Sequence, residues 1–321
     1  MVISKTPFRI SLFGGSTDYE SFFSEHGSLL VGFAIDKYCY INLRKNPKIF
    51  DYKSKVAYSS VETVKNNKDI KHDGVRGVID YFDLLDERLE ISYFSDLPAQ
   101  TGIGSSSSFV VGLINAIMHK DKYSAKELAD AAITVERHFL NEVGGIQDQI
   151  WAAYGGLSSI AIDKTGNFLV RPLPVSEDFI EFFLDTSILI YTGRQRKSFK
   201  IASSHETGST DSNKQKILQL AHSGYNAFCN EDHQQIAELL RESWESKKKI
   251  SNLVCNPEIN TMIEDLHDCG MIGGKLIGSG GSGFIFGITD SPESKYEICQ
   301  KFKDRCVDFG ISKNGSEIIH E

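Results

Sequence analysis

The sequence lacks the long apolar segments and repeats that mark membrane and fibrous proteins. No stretch reaches the ~18 consecutive apolar residues that a membrane-spanning helix needs. The N-terminus, MVISKTPFRISLF, alternates apolar and polar residues and does not look like a secretory signal. No Pro-rich linker, low-complexity tract or long repeat divides the 321 residues, a length that suits two modest domains. We therefore expect a globular chain without membrane attachment.

Cysteine is also scarce, and its six copies form no CxxC pair. They stand at Cys39, Cys229, Cys255, Cys269, Cys299 and Cys306. Such scattered positions predict free thiols in a reducing cytoplasm, and not a disulfide framework or a zinc site. The net charge of −8 argues against a nucleic-acid-binding surface. In such an acidic protein, backbone N–H groups, a cation and a few arginines would have to offset the charge of a phosphate-rich ligand locally.

Strands and helices are mixed along the chain, which predicts an α+β fold. Segments rich in β-branched and aromatic residues predict strands at VISKTPFRISLF, FAIDKYCYINLRK, RLEISYF, NFLVRPL and TSILIYTG. Helical spacing of apolar residues predicts helices over 74–85, 105–119, 124–140, 213–229, 233–250, 257–269 and 294–308, the last ending at Gly310. We divide the chain into an N-terminal domain, residues 1–180, and a C-terminal domain, residues 181–321.

The segment PAQTGIGSSSS, residues 98–108, places glycines and four serines between a predicted strand and an apolar helix. A helix N-terminus carries unpaired N–H groups and a partial positive charge. Small residues there let a phosphate approach the backbone, and serine hydroxyls can bind phosphate or Mg²⁺. The alternative is a loop that merely caps the helix. No GK[ST] follows, so the segment is not a Walker A loop.

Charged residues stand near two other glycine pairs. Arg9 and Asp18 flank Gly14-Gly15, an arrangement that suits a polyhydroxyl substrate or a surface ion pair. Glu136 falls among small apolar residues of a predicted helix, where a metal ion could offset its burial, although a solvent-exposed helix edge is the alternative. Asp148 follows a glycine pair in the first turn of a helix, where it either orients an attacking hydroxyl or is only a terminal charge.

A second glycine loop, GSGGSG at residues 278–283, matches the dinucleotide pattern G-x-G-x-x-G. That fingerprint should lead into a helix, whereas FIFGIT after this loop reads as a strand. A hairpin whose loop approaches a ligand or the other domain is therefore favoured over a nicotinamide site, and a plain turn is the alternative.

These segments, in this order, resemble the motifs of the GHMP kinase family. PFRISLFGGSTDY resembles the first motif, PAQTGIGSSSS the second, phosphate-binding motif, GGIQDQ the segment with the catalytic aspartate, and KLIGSGGSGF the third motif. The resemblance extends over nearly the whole chain. It implies a GHMP-kinase two-domain α+β fold, with a ribosomal protein S5 domain 2-like N-terminal domain, a ferredoxin-like C-terminal domain and an active site between them.

The resemblance also implies roles for individual residues in an ATP- and Mg²⁺-dependent kinase. Asp148 would face the acceptor hydroxyl and Arg9 would stabilise the transferring phosphoryl group or hold the substrate. Ser106 and Glu136 would bind Mg²⁺. ATP phosphates would contact Gly102, Ile103, Gly104, Ser105, Ser106 and Ser107. The small-molecule substrate would contact Gly14, Gly15, Ser16, Thr17, Asp18, Arg196, Gly280 and Gly281.

Departures from the family pattern narrow the substrate. Galactokinases carry Glu-His where this chain has Gly15-Ser16, which disfavours galactose. GGSTD followed by FAIDKYCYI resembles heptose 7-phosphate kinases and fucokinases, and YTGRQR at 191–196 is similar to a segment of heptose kinases. The leading interpretation is phosphoryl transfer to the anomeric hydroxyl of a heptose 7-phosphate, whose phosphate the basic cluster Arg194, Arg196, Lys197 and Lys200 would hold. The alternative functions are a fucokinase-like or other free-sugar kinase and a catalytically silent ligand sensor on the same fold. The sequence does not decide whether the protein is a homodimer.

Overall fold

The computed structural model describes residues 1–193, 211–249, 254–278 and 280–321. Its larger sheet is built around two long strands, β1 (Val2–Phe13) and β2 (Ser28–Lys45), which pair antiparallel. The other strands of this sheet are β3 (Ser54–Ala57), β4 (Val61–Val64), β5 (Leu89–Ser95), β6 (Leu157–Ile162), β7 (Phe168–Pro172) and β11 (Glu317–His320). The order is β11-β1-β2-β5-β3-β4, and β6 pairs with both β2 and β7.

The helices of the N-terminal half cover one face of this sheet. They are α1 (Glu20–His26), α2 (Asp73–Tyr81), α3 (Ser105–Ile117), α4 (Ala125–Thr134) and α5 (Gln147–Tyr154). Ser124 and Glu127 form a capping box, which fixes the start of α4. A π-helical turn, Val135–Phe139, continues α4. Every residue from Ser107 to Ala116 is buried, so α3 is the central helix of this core.

The C-terminal half has a smaller antiparallel sheet, ordered β8-β10-β9, with helices around it. Its strands are β8 (Ser187–Tyr191), β9 (Met271–Leu276) and β10 (Phe284–Thr289). Its helices are α6 (Glu177–Asp185), α7 (Asp211–Cys229), α8 (His233–Lys248), α9 (Pro257–His267) and α10 (Pro292–Phe302). Phe33 of β2 packs edge-on against Phe183 and Phe286, so one apolar core joins the two halves.

The structure confirms the α+β prediction and the predicted strands. It also confirms that the second glycine loop joins two antiparallel strands, β9 and β10, which removes the basis for a nicotinamide site. The division at residue 180 remains a proposal, and β11, from the very end of the chain, pairs with β1 in the larger sheet.

Two predictions near the C-terminus are wrong. The last helix ends at Phe302 and is followed by a 3₁₀ turn, Lys303–Arg305. Gly310 is not its cap, because Gly310 exchanges backbone and side-chain hydrogen bonds with Asp36. Cys299 and Cys306 form a disulfide and are not free thiols; the end of α10 brings their Cα atoms to 5.3 Å.

Candidate active site

A cavity of about 230 Å³ opens where the end of β1 meets the first turns of α3 and α5 and the C-terminal elements α8 and β9. Most of the predicted site residues line it. They are Arg9, Gly15, Ser16, Asp18, Gly102, Gly104, Ser105, Ser106, Ser107, Glu136 and Asp148. Residues far apart in the sequence thus converge on one space, because β1 and α3 are packed side by side at the centre of the fold.

Five other predicted residues do not line this cavity. Gly14 and Thr17 shape the loop after β1: Thr17 Oγ1 donates a hydrogen bond to the Gly14 carbonyl at 2.7 Å. Ile103 is fully buried, and its carbonyl accepts the Arg9 N–H. The remaining two, Gly280 and Gly281, pack against Val254. Arg196 and its basic neighbours lie outside the described residues.

Gly104 sets the geometry of the serine-rich turn. It is the N-cap residue of α3, has φ +77°, and brings no side chain that could cap the helix. A Cβ there would lie 3.3 Å from Arg9 Cγ and 3.5 Å from Asp148 Oδ2. The turn therefore presents the first N–H groups of α3 without a side-chain cap, beside the two charged groups of the site.

Arg9 and Asp148 form a two-pronged ion pair. Arg9 Nε donates to Asp148 Oδ1 and Nη2 donates to Oδ2, both at 2.7 Å, and Nη1 donates to the Gly102 carbonyl at 2.6 Å. The Arg9 residue is only 5% exposed. The guanidinium thus ties the glycine loop to the carboxylate at the start of α5. A surface pair between Arg9 and Asp18 was the alternative, and the structure excludes it.

Glu136 lies inside the protein and not at a solvent-exposed helix edge. It is 4% exposed and sits on the π-helical turn after α4. Burial raises its pKa to about 8, repulsion from Glu142 adds to the rise, and the nearby Ser107 hydroxyl opposes it. Gln149 Nε2 donates to Oε2, whereas Oε1 is buried and has no hydrogen-bond partner. That oxygen is free to contact a cation in the cavity.

Asp18 is fully buried at the opposite wall. Its oxygens accept the N–H groups of Ser16 and Gln147, each at 3.2 Å. Burial, and then the charge of Asp148, raise its pKa. A Cβ at Gly145 would come within 1.7 Å of Asp18 Oδ2, which explains why the GGIQDQ segment has glycine there. Asp18 and Asp148 thus share one region of the cavity.

Polar atoms without partners concentrate in this cavity. Of seven such buried side-chain atoms in the described part of the chain, four belong to residues that line it. They are Ser11 Oγ, Glu136 Oε1, Gln147 Oε1 and Gln149 Oε1. Since buried polar atoms are normally hydrogen-bonded, this concentration indicates a site for a polar ligand.

The cavity-wall residues that the sequence reasoning missed include Ser11, Gln147, Gln149, Lys247 and Lys275. The first three are uncharged residues in motifs whose charged residues alone suggested catalytic roles. Lys247 ends a helix in a run of lysines, which looks like an ordinary solvated surface. Only the lysine of KLIGSGGSGF carried a usable signal, because a charge among apolar residues of a strand is uncommon.

Comparison with known families identifies the fold. The sequence pattern of the GHMP kinases N terminal domain matches residues 73–156, and that of the GHMP kinases C terminal domain matches residues 225–308. Together these matches cover just over half of the chain. The chain belongs to the GHMP kinases. The prediction of this family, and of a phosphotransferase that uses ATP, is thereby confirmed.

One curated relative matches this GHMP kinase over almost its whole length, and another matches part of it. A D-glycero-alpha-D-manno-heptose 7-phosphate kinase of Campylobacter jejuni is 28% identical over 97% of both chains. Glucuronokinase 1 of Arabidopsis thaliana is 27% identical over 61% of this chain and 56% of its own. The crystal structure of a D-glycero-D-manno-heptose 1-phosphate kinase of Bacteroides thetaiotaomicron superimposes with a TM-score of 0.81, at 23% identity, over 100% of this chain and 99% of that one. This superposition confirms the two-domain fold.

The family's ATP chemistry commonly requires a metal, and the cavity offers few side chains that could bind one. Among the residues that the structure describes, no group of three or more His, Cys, Asp or Glu side chains could enclose an ion. Mg²⁺, however, is usually held by one or two carboxylates together with phosphate oxygens and water. The unpartnered Glu136 oxygen and the serines of α3 meet that need. No helix in the described ranges has the length and apolar content to cross a membrane.

Proposed function

We propose that this GHMP kinase transfers the terminal phosphoryl group of ATP to the anomeric hydroxyl of a heptose 7-phosphate, with Mg²⁺ as the metal. The observation that carries the proposal is the Arg9–Asp148 pair at the uncapped start of α3. It supports phosphoryl transfer because a carboxylate for the acceptor and a cation for the phosphoryl group are held side by side. The heptose 7-phosphate kinase of C. jejuni supports the choice of acceptor.

On the nucleotide side, Gly102 to Ser107 would bind the phosphates. Two glycines with positive φ let the backbone approach a ligand, and the first N–H groups of α3 would donate to phosphate oxygens. Glu136 and Ser106, or the adjacent Ser107, would hold Mg²⁺ through oxygen atoms. When bound, the metal neutralises charge on the phosphate oxygens. Gln149 would keep the Glu136 carboxylate oriented through its hydrogen bond to Oε2.

On the acceptor side, Asp148 would accept a hydrogen bond from the attacking hydroxyl. Both of its oxygens are fixed by Arg9, and each keeps a further lone pair for the substrate. Positioning, more than full proton removal, would then account for its contribution. Asp18, Ser11 and Gln147 would bind other sugar hydroxyls. The last two each supply an unpartnered oxygen atom, Ser11 Oγ and Gln147 Oε1. Both side chains lie next to Gly15, because a Cβ there would be 3.5 Å from Ser11 Oγ and 3.8 Å from Gln147 Nε2.

Three further assignments remain proposals. Arg196 would contact the substrate phosphate, and Gly280 and Gly281 would act through the loop that supports the site. The cytoplasm is the proposed location, because ATP and sugar phosphates occur together there. The four free cysteines in the described residues fit a reducing compartment, whereas the Cys299–Cys306 disulfide does not.

The acceptor is tested by ATP turnover with a panel of heptose 7-phosphates, unphosphorylated heptoses, fucose and galactose. We expect ADP release with a heptose 7-phosphate at a kcat/KM at least about 100-fold above that for the free sugar, because a charged group recognised by a built site contributes several kcal/mol. Product NMR should place the new phosphate on the anomeric oxygen. Equal kcat/KM for phosphorylated and free sugars, or a product phosphorylated elsewhere, would contradict the proposal.

A further inference from the structure

Two lysines of the C-terminal half reach the cavity from α8 and β9. Lys275 is 5% exposed, and Lys247 is partly exposed beside it. Lys275 Nζ donates to the Leu12 carbonyl at 2.5 Å. Lys247 Nζ donates to the Leu276 carbonyl at 2.9 Å and to the Gly278 carbonyl. Both side chains thus fix the C-terminal half onto the walls of the site.

The hydrogen bonds of this pair are incomplete. An ammonium group has three N–H donors, so the pair has six, of which three find acceptors among the described residues. Neither lysine forms an ion pair with a carboxylate in the described part of the chain. Asp148 lines the same cavity, but Arg9 already engages both of its oxygens. Within the described part of the chain, the two lysines of the cavity wall therefore have no anionic partner.

The charge balance makes an anion the natural partner. Burial lowers the pKa of Lys275 to about 7 and lowers the pKa of Lys247, and repulsion by Arg9 contributes to both shifts. Uncompensated buried charge is costly, and proteins retain it where a ligand or partner offsets it. A phosphate dianion would satisfy the free N–H groups and remove the repulsion among the three cations.

We propose that Lys275, together with Lys247, binds the phosphate that the acceptor sugar already carries, an inference that rests on the proposed function. The position of Lys275 favours this phosphate over the one being transferred. Arg9 contacts the Gly102 carbonyl on the nucleotide side, whereas Lys275 contacts Leu12, where β1 leads into the loop of Gly14 to Asp18. Lys275 therefore meets the cavity next to the loop whose Asp18 would bind sugar hydroxyls.

The test measures phosphate binding to Lys275→Met and Lys247→Met proteins. Inorganic phosphate is titrated by calorimetry while the nucleotide site is saturated with Mg²⁺ and a non-hydrolysable ATP analogue. We expect at least about tenfold weaker phosphate binding for Lys275→Met, on the scale of one lost charge-assisted hydrogen bond. KM for heptose 7-phosphate should rise by a similar factor, with kcat within a few fold of wild type.

The matched control is Lys295→Met, because Lys295 also donates to a backbone carbonyl, that of Leu184 at 2.8 Å, but lies away from the cavity. The ligand-free Lys275→Met protein should melt at the wild-type temperature or above it, since it has lost a buried charge. If it does not fold, Lys275→Gln takes its place in every measurement.

Two results would overturn the proposal. Phosphate affinity and KM that are unchanged in Lys275→Met would show a purely structural lysine. Unchanged phosphate affinity with a reduced preference for the ATP analogue over ADP would assign the pair to the transferring phosphoryl group. The phosphate titration needs no turnover, so a failure of the wild-type enzyme to use heptose 7-phosphates would count against the proposed function alone.

Discussion

At the scale of single residues, the site carries charges that weaken the empty protein. Glu136 and Asp18 are buried carboxylates with raised pKa values, and Lys275 is a buried ammonium with a lowered one. Burying each of these groups would cost less free energy if the group were neutral. Their joint presence in one cavity is explained if ligands supply the missing counter-charges. Substitution of each residue should therefore change how protein stability or activity depends on pH or on ligand, which substitution of a purely structural residue would not do.

Glu136 should make the ligand-free protein less stable as pH rises. Its folded-state pKa of about 8 lies above its ordinary value of 4.5, so the folded protein binds this proton more tightly than the unfolded chain. The protonated Glu136 carboxyl therefore contributes to the free energy of unfolding fully below pH 4.5, and this contribution is lost as pH rises through about 8. The total loss is on the order of a few kcal/mol. Thermal melts between pH 5 and 8 should show this fall, and Glu136→Gln should flatten it.

The same substitution should raise the Mg²⁺ concentration needed for half-maximal activity by about tenfold or more, because the metal loses a charged oxygen ligand. Glu142→Gln is the control, since Glu142 is a neighbouring carboxylate that also lines the cavity. A melting curve for Glu136→Gln that follows the wild-type pH profile, or an unchanged Mg²⁺ titration, would contradict this account of Glu136.

At the scale of elements, the start of α3 depends on a residue without a side chain. Gly104→Ala should lower kcat/KM for ATP by at least about tenfold, because φ +77° strains any other residue and the new methyl group would press on Arg9 and Asp148. The loss of stability should be only about 1 kcal/mol. Steady-state kinetics and thermal melts give both quantities.

The control for this prediction is Gly166→Ala. Gly166 has a similar φ, +86°, but lies in the turn between β6 and β7 and is remote from the cavity. It should show a comparable loss of stability without a loss of activity. If both substitutions leave kcat/KM unchanged, the turn at Gly104 does not bind the nucleotide.

Local patterns predicted most elements because their causes are local. β-Branched and aromatic residues predicted β1, and apolar residues at helical spacing predicted α4, since both patterns depend on neighbouring residues. The end of α10 was mispredicted because a distant contact decides the position of Gly310. The Cys299–Cys306 disulfide joins residues only seven apart, and it was mispredicted because it depends on the turn that follows α10. Gly310 is held by Asp36, which is 274 residues away in sequence, and no local signal could reveal that pairing.

At the scale of the whole molecule, the two glycine loops support each other. A Cβ at Gly278 would lie 2.3 Å from Gly102 Cα, so the C-terminal loop packs directly on the turn that we propose to bind the ATP phosphates. Gly278→Ala should therefore displace that turn and lower kcat/KM for ATP by at least about tenfold, although residue 278 needs no contact with the nucleotide. Kinetics at varied ATP concentration measure this effect.

Gly270→Ala is the matched control for Gly278→Ala. It also has a positive φ, and its Cβ would lie 2.6 Å from Ser294 Oγ, away from the site. This variant should lose stability but keep wild-type kinetics. Equal losses of activity in both variants would mean that general destabilisation, and not the contact between the loops, explains the result.

The order of motifs predicted which residues would meet, but not how the second half completes the site. Arg9, Glu136 and Asp148 were found because charged residues beside glycine pairs follow the family pattern, and the fold brings them together. Lys247 was missed, since its burial depends on how α8 packs against the other half. Ser11 and Gln147 were missed because an uncharged side chain shows its importance only when its polar atom is left without a partner.

The most direct test of the whole account is a single-turnover measurement with Asp148→Asn. The account predicts that kcat falls by about 10³-fold or more, while the affinities for Mg²⁺-ATP and the sugar phosphate stay within a few fold of wild type. Asp96→Asn, which alters a carboxylate bound to the Tyr38 N–H outside the cavity, should behave as wild type. Phosphoryl transfer by Asp148→Asn within tenfold of the wild-type rate would contradict the claim that this cavity performs the chemistry.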